Sequence, residues 1–209
     1  MAGTRYFEEL AAAFVRGKLG ESGASAQETI ALGLSRGLKL HKFKRQAELP
    51  RVHRVLGVLR GLGPETLLDV GSGRGTFLWP LVDAFPSLPV LAVDESEVRV
   101  RDLHAVRVGG IDRLSASRMD ACALALPDKS RDVATILEVL EHLERPALAA
   151  QEAMRVARRF VVASVPAHAD DNPGHRHLFG EAAIERLFAG AGRTSFERVL
   201  NHIIAVVRL

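Results

Sequence analysis

Cysteine occurs once in the 209 residues, as Cys122, so the chain cannot close a disulfide on itself. A lone thiol suits a reducing compartment, and a cytoplasmic location is expected. The role expected for Cys122 is that of a small buried apolar side chain rather than a nucleophile. No apolar run approaches the length of a membrane span. The first 18 residues lack a signal-peptide core, because Arg5, Glu8, Glu9 and Arg16 interrupt their apolar positions. Repeats and low-complexity tracts are also absent. What remains is an ordinary soluble composition, 47% hydrophobic and 25% charged, long enough to bury a core unaided. One domain plus an appendage is the expected count.

Acid is scarce in one stretch. Between residues 36 and 60, Arg36, Lys39, Lys42, Lys44, Arg45, Arg51, Arg54 and Arg60 stand against the single acid Glu48. The whole chain carries a formal net charge of only +3, so its basic character is concentrated near the N-terminus. Such a stretch can attract RNA phosphates or an acidic partner, or it can be a solvated helical face.

Apolar spacing predicts helices over 6–19, 26–38 and 50–62. Ser25 is placed to cap the second, with Glu28 three residues on. Pro50 opens the third and Gly63-Pro64 closes it. This gives a basic helical cap over 1–50, followed by a domain over 51–209. In that domain strands at 66–70, 89–93, 114–118, 132–137 and 159–165 alternate with helices at 75–85, 95–107, 146–157 and 180–191. The alternation predicts an α/β, Rossmann-like fold with a mostly parallel sheet. Two closing strands, 195–201 and 203–209, have no helix between them.

The first strand runs directly into Asp69-Val70-Gly71-Ser72-Gly73-Arg74-Gly75. Glycines let the chain turn sharply and let a flat ligand approach bare backbone. The dinucleotide fingerprint Gly-x-Gly-x-x-Gly is missing, because Gly75 comes one residue early and Thr76 stands where it wants glycine. No Gly-Lys-Ser/Thr follows, so this is no Walker A loop. Asp94 ends the second strand, where an acid can accept from ribose hydroxyls. Asp120-Ala121 follows the third strand, where an acid can accept the amino group of adenine.

With these pieces in this order, the chain resembles the class I S-adenosylmethionine-dependent methyltransferases over residues 50–209. The later run Glu138-Val139-Leu140-Glu141-His142-Leu143 fits the same pattern. The resemblance implies a seven-stranded sheet closed by an antiparallel hairpin. It also implies S-adenosylmethionine as cofactor. Asp69, Gly71, Ser72, Gly73 and Gly75 would receive its methionine part, Asp94 and Glu95 the ribose, Asp120 and Ala121 the adenine. Glu138 would face the cofactor as well. Arg74 is a candidate for the cofactor carboxylate, while Trp79 is expected to pack the first helix.

Methyl transfer from a sulfonium is an in-line displacement, in which positioning does most of the work. A hydroxyl acceptor also needs a base or a metal. If residues 138–142 form a helical turn, Glu138, Glu141 and His142 share one face. Those donors suit Mn²⁺, Fe²⁺, Co²⁺ or Zn²⁺, and Mg²⁺ less readily. A fourth donor can come from His175 or His177 in the loop after strand five. This set resembles the small-RNA 3′-terminal ribose 2′-O-methyltransferases, which implies Glu138, Glu141 and His142 as catalytic metal ligands and RNA as substrate. The alternatives are a metal-independent small-molecule methyltransferase and a non-catalytic binding module. His168, Asp170 and Asp171 are candidates for a substrate pocket; His41, His53 and His104 read as surface or packing histidines.

Overall fold

The computed structural model describes residues 6–45, 49–169 and 171–209. Arg5, Glu48 and Asp170 therefore lie outside the described residues. A seven-stranded sheet runs through the molecule, made of β1 (Leu67–Val70), β2 (Val90–Asp94), β3 (Leu114–Arg118), β4 (Arg131–Leu137), β5 (Ala157–Pro166), β6 (Arg193–Val199) and β7 (His202–Arg208). Their order is β3-β2-β1-β4-β5-β7-β6. β1 to β5 pair in parallel, and β7 runs antiparallel between β5 and β6. This is the expected Rossmann-like sheet with its antiparallel C-terminal hairpin. The order reverses between β1 and β4, so a crevice opens at their carboxyl ends.

Parallel strands buried on both faces read as continuous apolar runs, and β1 is buried at all four positions. Leu67 faces a core built with α1 (Glu8–Leu19), α3 (Pro50–Leu62), α4 (Leu78–Ala84) and α5 (Glu97–Val108). Leu68 faces the opposite core, with α6 (Pro146–Val156) and α7 (Glu181–Leu187). α4 begins three residues later than expected, because Gly75 to Phe77 complete the turn after β1. α2 (Ala26–Ser35) ends early as the chain reaches Gly37, where φ is 79°. Ser25 caps it as expected, accepting from the Glu28 amide at 3.2 Å.

The helical N-terminal segment is built into the first core. Ala11, Ala12 and Ala13 of α1 are fully buried. A Cβ at Gly17 would sit 1.9 Å from the Ala105 carbonyl oxygen, and one at Gly109 would sit 1.7 Å from that of Ala13. Only glycine lets the two backbones meet so closely. Lys18 and Lys42 both pair with Asp102 of α5. Phe43, in a 3-10 turn at His41–Phe43, lies between Phe14 and Trp79 at ring distances of 5.2 and 4.8 Å. Apolar packing is thus continuous across residue 50, the expected cap boundary.

Half of the basic stretch is paired with acids of the same chain, mostly at the surface. Arg36 pairs with Glu21, Lys42 with Asp102, Arg45 with Asp83 and Arg54 with Glu197. No helix of the described residues is long and apolar enough to cross a membrane.

Candidate active site

The turn after β1 uses three left-handed glycines, with φ of 74° at Gly71, 57° at Gly73 and 85° at Gly75. A Cβ on Gly71 would strike Val139 Cγ2 at 2.5 Å, and one on Gly75 would strike Trp79 Nε1 at 2.1 Å. At Gly73 the nearest atom would be 3.7 Å away, so its side is open. Trp79 is buried and donates to the Arg74 carbonyl at 3.0 Å, which ties α4 to the turn.

Two buried acids brace this turn. Asp94 accepts from the Gly73 amide at 2.8 Å and the Ser96 amide at 2.9 Å, and Arg99 lies 3.3 Å from its oxygens. Its carboxylate therefore locks the turn as well as bordering the cleft. Asp69 accepts from Thr135 Oγ1 at 2.8 Å, and its Oδ2 has no hydrogen-bond partner among the described residues. Burial pushes its pKa up to about 6, against the opposing pull of the Ser72 and Thr135 hydroxyls.

Two cavities adjoin the turn. The larger, about 450 Å³, is bounded by Asp94, Glu95, Met119, Asp120, Ala121 and His142. The smaller, about 160 Å³, is bounded by Asp69, Ser72, Thr76, Phe77 and Ser164. Gly71, Gly73 and Glu138 border both. Together they line the carboxyl ends of β1 to β4. Of the residues expected at the cofactor, only Gly75 faces elsewhere, into a third cavity beside Trp79. The loop after β3 is held open without a helix, because Arg155 of α6 donates to the Leu124 and Leu126 carbonyls at 2.8 and 2.7 Å. Cys122 in that loop is half-buried, not buried as expected, and its amide donates to Asp120. Burial and the neighbouring Asp120 raise its thiol pKa.

Residues 138–142 do not form the single helical turn expected. Glu138 has φ of 55°, and only Leu140–His142 are helical, in one 3-10 turn. The left-handed kink removes Glu138 from the shared face. Its Oε1 accepts from Ser164 Oγ at 2.7 Å, and its Oε2 meets His202 Nε2 at 3.2 Å. Glu141, His142 and His175 instead come together, with donor atoms all within 4.8 Å of one another. Of the two histidines, the structure places His175 in this group. His177 Nε2 meets the Leu143 carbonyl at 2.9 Å. His142 Nδ1 lies 2.9 Å from the Gly174 carbonyl. His41, His53, His104, His168 and Asp171 are exposed.

Sequence reasoning missed His202, Ser164, Thr135 and Arg99. A signal for His202 was available. An antiparallel final hairpin starts its last strand at the carboxyl end of β5, and His202 pairs there with Pro166.

Residues 68–160 match a family described as a methyltransferase domain. The chain is 35% identical over 138 residues to the malonyl-[acyl-carrier protein] O-methyltransferase of Methylococcus capsulatus, covering 64% of this chain and 45% of that protein. It spans less than half the length of the curated relatives it matches. Among solved structures, a SAM-dependent methyltransferase from Aquifex aeolicus superposes with a TM-score of 0.61 and 22% identity, over 77% of this chain and 90% of that one. The methyltransferase domain of bacterial CtHen1-CN superposes at 0.63 and 20% identity, over 77% and 98%. Both likenesses are in fold alone.

Proposed function

We propose that the protein is an S-adenosylmethionine-dependent methyltransferase acting on a small molecule. The observation that carries this reading is the cleft across β1 to β4, which runs from Asp120 past the bare glycine turn to Glu138. The donor set fits the cofactor. The unpartnered Oδ2 of buried Asp69 suits an ammonium group. The open side of Gly73 admits a close ligand. Asp120 stands at the far end of the larger cavity, where it suits an adenine amine.

When bound, S-adenosylmethionine supplies an electrophilic methyl on a positive sulfur. In the transfer the sulfur–carbon bond breaks as the acceptor–carbon bond forms, and the acceptor loses its proton. The chain's own work is to align the two partners and to receive that proton. Glu138, oriented by Ser164 and His202 between the two cavities, is the group placed to receive it. The test is calorimetric titration with S-adenosylhomocysteine. Micromolar binding that is lost in Gly71→Ala supports the reading, and absent binding to the wild type overturns it.

One observation favours a second reading, in which a divalent metal assists transfer to an RNA ribose hydroxyl. Glu141, His142 and His175 would hold Mn²⁺ or a similar ion, and Mg²⁺ less readily. With Nδ1 of His142 turned to Gly174, Nε2 is the nitrogen it would offer. The metal would polarise a hydroxyl and ease its deprotonation. Against RNA stands the pairing of Arg36, Lys42, Arg45 and Arg54 with acids of the same chain. Titration with Mn²⁺ alone decides: binding abolished in His142→Ala supports the metal, and no binding removes it.

A further inference from the structure

Some of the positive charge left without an ion pair among the described residues lines one groove. A third cavity, about 240 Å³, lies beneath the 3-10 turn at His41–Phe43. It shares Val52, Arg74 and Thr76 with the smaller cavity at the glycine turn, so the two are neighbours in one groove. Lys42, Lys44 and Arg74 give it positive charge, while Leu49, Trp79 and Pro80 give it apolar walls. No acid lines it among the described residues. Arg51 stands in the adjoining cavity. Lys44, Arg51 and Arg74 form no ion pair among the described residues, unlike Lys42 and Arg54 nearby.

Cations that share a cavity with no acid among its described lining residues repel one another, and a concave apolar wall focuses their field. An anion relieves that repulsion. The acids of the groove, Asp69 and Glu138, line only the smaller of its two cavities, beside Arg51 and Arg74. An elongated molecule with an anionic head can therefore sit in one direction only. Its head lies by Lys44, and its reacting atom lies by Glu138. Lys44 is firmly mounted, because its backbone bridges to Tyr6 and the adjacent Phe43 is wedged in the core.

We infer that this cavity binds the anionic head of the methyl acceptor, a small molecule with an apolar middle and a phosphate or carboxylate at one end. The inference rests on the methyltransferase reading for the acceptor's role, but anion binding can be measured apart from it. The full chain, saturated with S-adenosylhomocysteine, is titrated with phenyl phosphate and with phenylacetate. Binding of either probe at millimolar concentration or tighter is expected, and the probe that binds names the head group. Lys44→Glu should weaken it about tenfold or more, since it replaces a charge-assisted contact by repulsion. Lys39→Glu makes the same charge change on an exposed residue outside the cavity and should shift it by less than about twofold. S-adenosylhomocysteine affinity should be equal in all three proteins. Binding of neither probe overturns the inference, as does equal weakening by the two variants, which would mean a diffuse field. Loss of S-adenosylhomocysteine binding in the wild type would instead sink the methyltransferase reading.

Discussion

Replacing Asp69 by Asn should stabilise the empty protein and weaken its hold on the cofactor. Asp69 is fully buried at the foot of the glycine turn, and its pKa stands at about 6 against an ordinary 3.8. The shift is upward, so the folded state holds its proton more tightly than the unfolded chain. Between those two values stability falls as pH rises, and above about pH 6 the full penalty is present. The gap in pKa converts to about 3 kcal/mol against folding at neutral pH. Asn removes that penalty but brings an amide N–H with no ready acceptor, a cost of about 1–3 kcal/mol. The amide cost is the same at every pH, so comparing two pH values cancels it. Urea unfolding followed by circular dichroism should show Asp69→Asn gaining about 2 kcal/mol more, relative to wild type, near pH 7.5 than near pH 4. A gain independent of pH would refute the claim that burial of an ionised Asp69 costs stability. The same variant should bind S-adenosylhomocysteine at least about tenfold more weakly, since a carboxylate–ammonium contact is lost.

Gly71→Ala forces a Cβ to 2.5 Å from Val139 at a φ of 74°, and should cost about 1–3 kcal/mol of stability in thermal unfolding. Adding Val139→Ala should restore only part of this, because the backbone strain remains. Gly109→Ala drives a methyl into the Ala13 carbonyl, and should cost more than about 2 kcal/mol in denaturant unfolding. Ser164→Ala removes the hydroxyl that donates to Glu138, and should cost about 1–3 kcal/mol in urea unfolding. An unchanged unfolding midpoint would show that this contact adds no stability.

The sheet was legible because buried parallel strands leave uninterrupted apolar runs such as Leu67 to Val70, and because the glycine turn can only follow such a strand. The antiparallel end was legible from two strands lacking a helix between them. Helix ends were less so: Gly75 to Phe77 read as helix, yet the turn consumed them. The candidate site was half legible. Spacing argued that Glu138, Glu141 and His142 share a face, but spacing presumes a regular helix, and the left-handed Glu138 broke that premise. His202 lies 64 positions from Glu138 and reaches it only through sheet order. The basic stretch looked like one surface because sequence shows charges and not their partners. Asp83, Asp102 and Glu197 come from three distant elements.

The main-chain contact of α1 with α5 bears on how this protein can be shortened. Where Gly17 and Gly109 let the two backbones touch, no side chain stands between them that could rearrange to close a gap. Deleting residues 6–20 would leave Ala105 and Gly109 at the floor of an open trench, with Phe43 stripped of Phe14. The smallest unit that folds therefore includes Glu8–Leu19, and trimming to the residues that resemble other enzymes would yield an aggregating fragment.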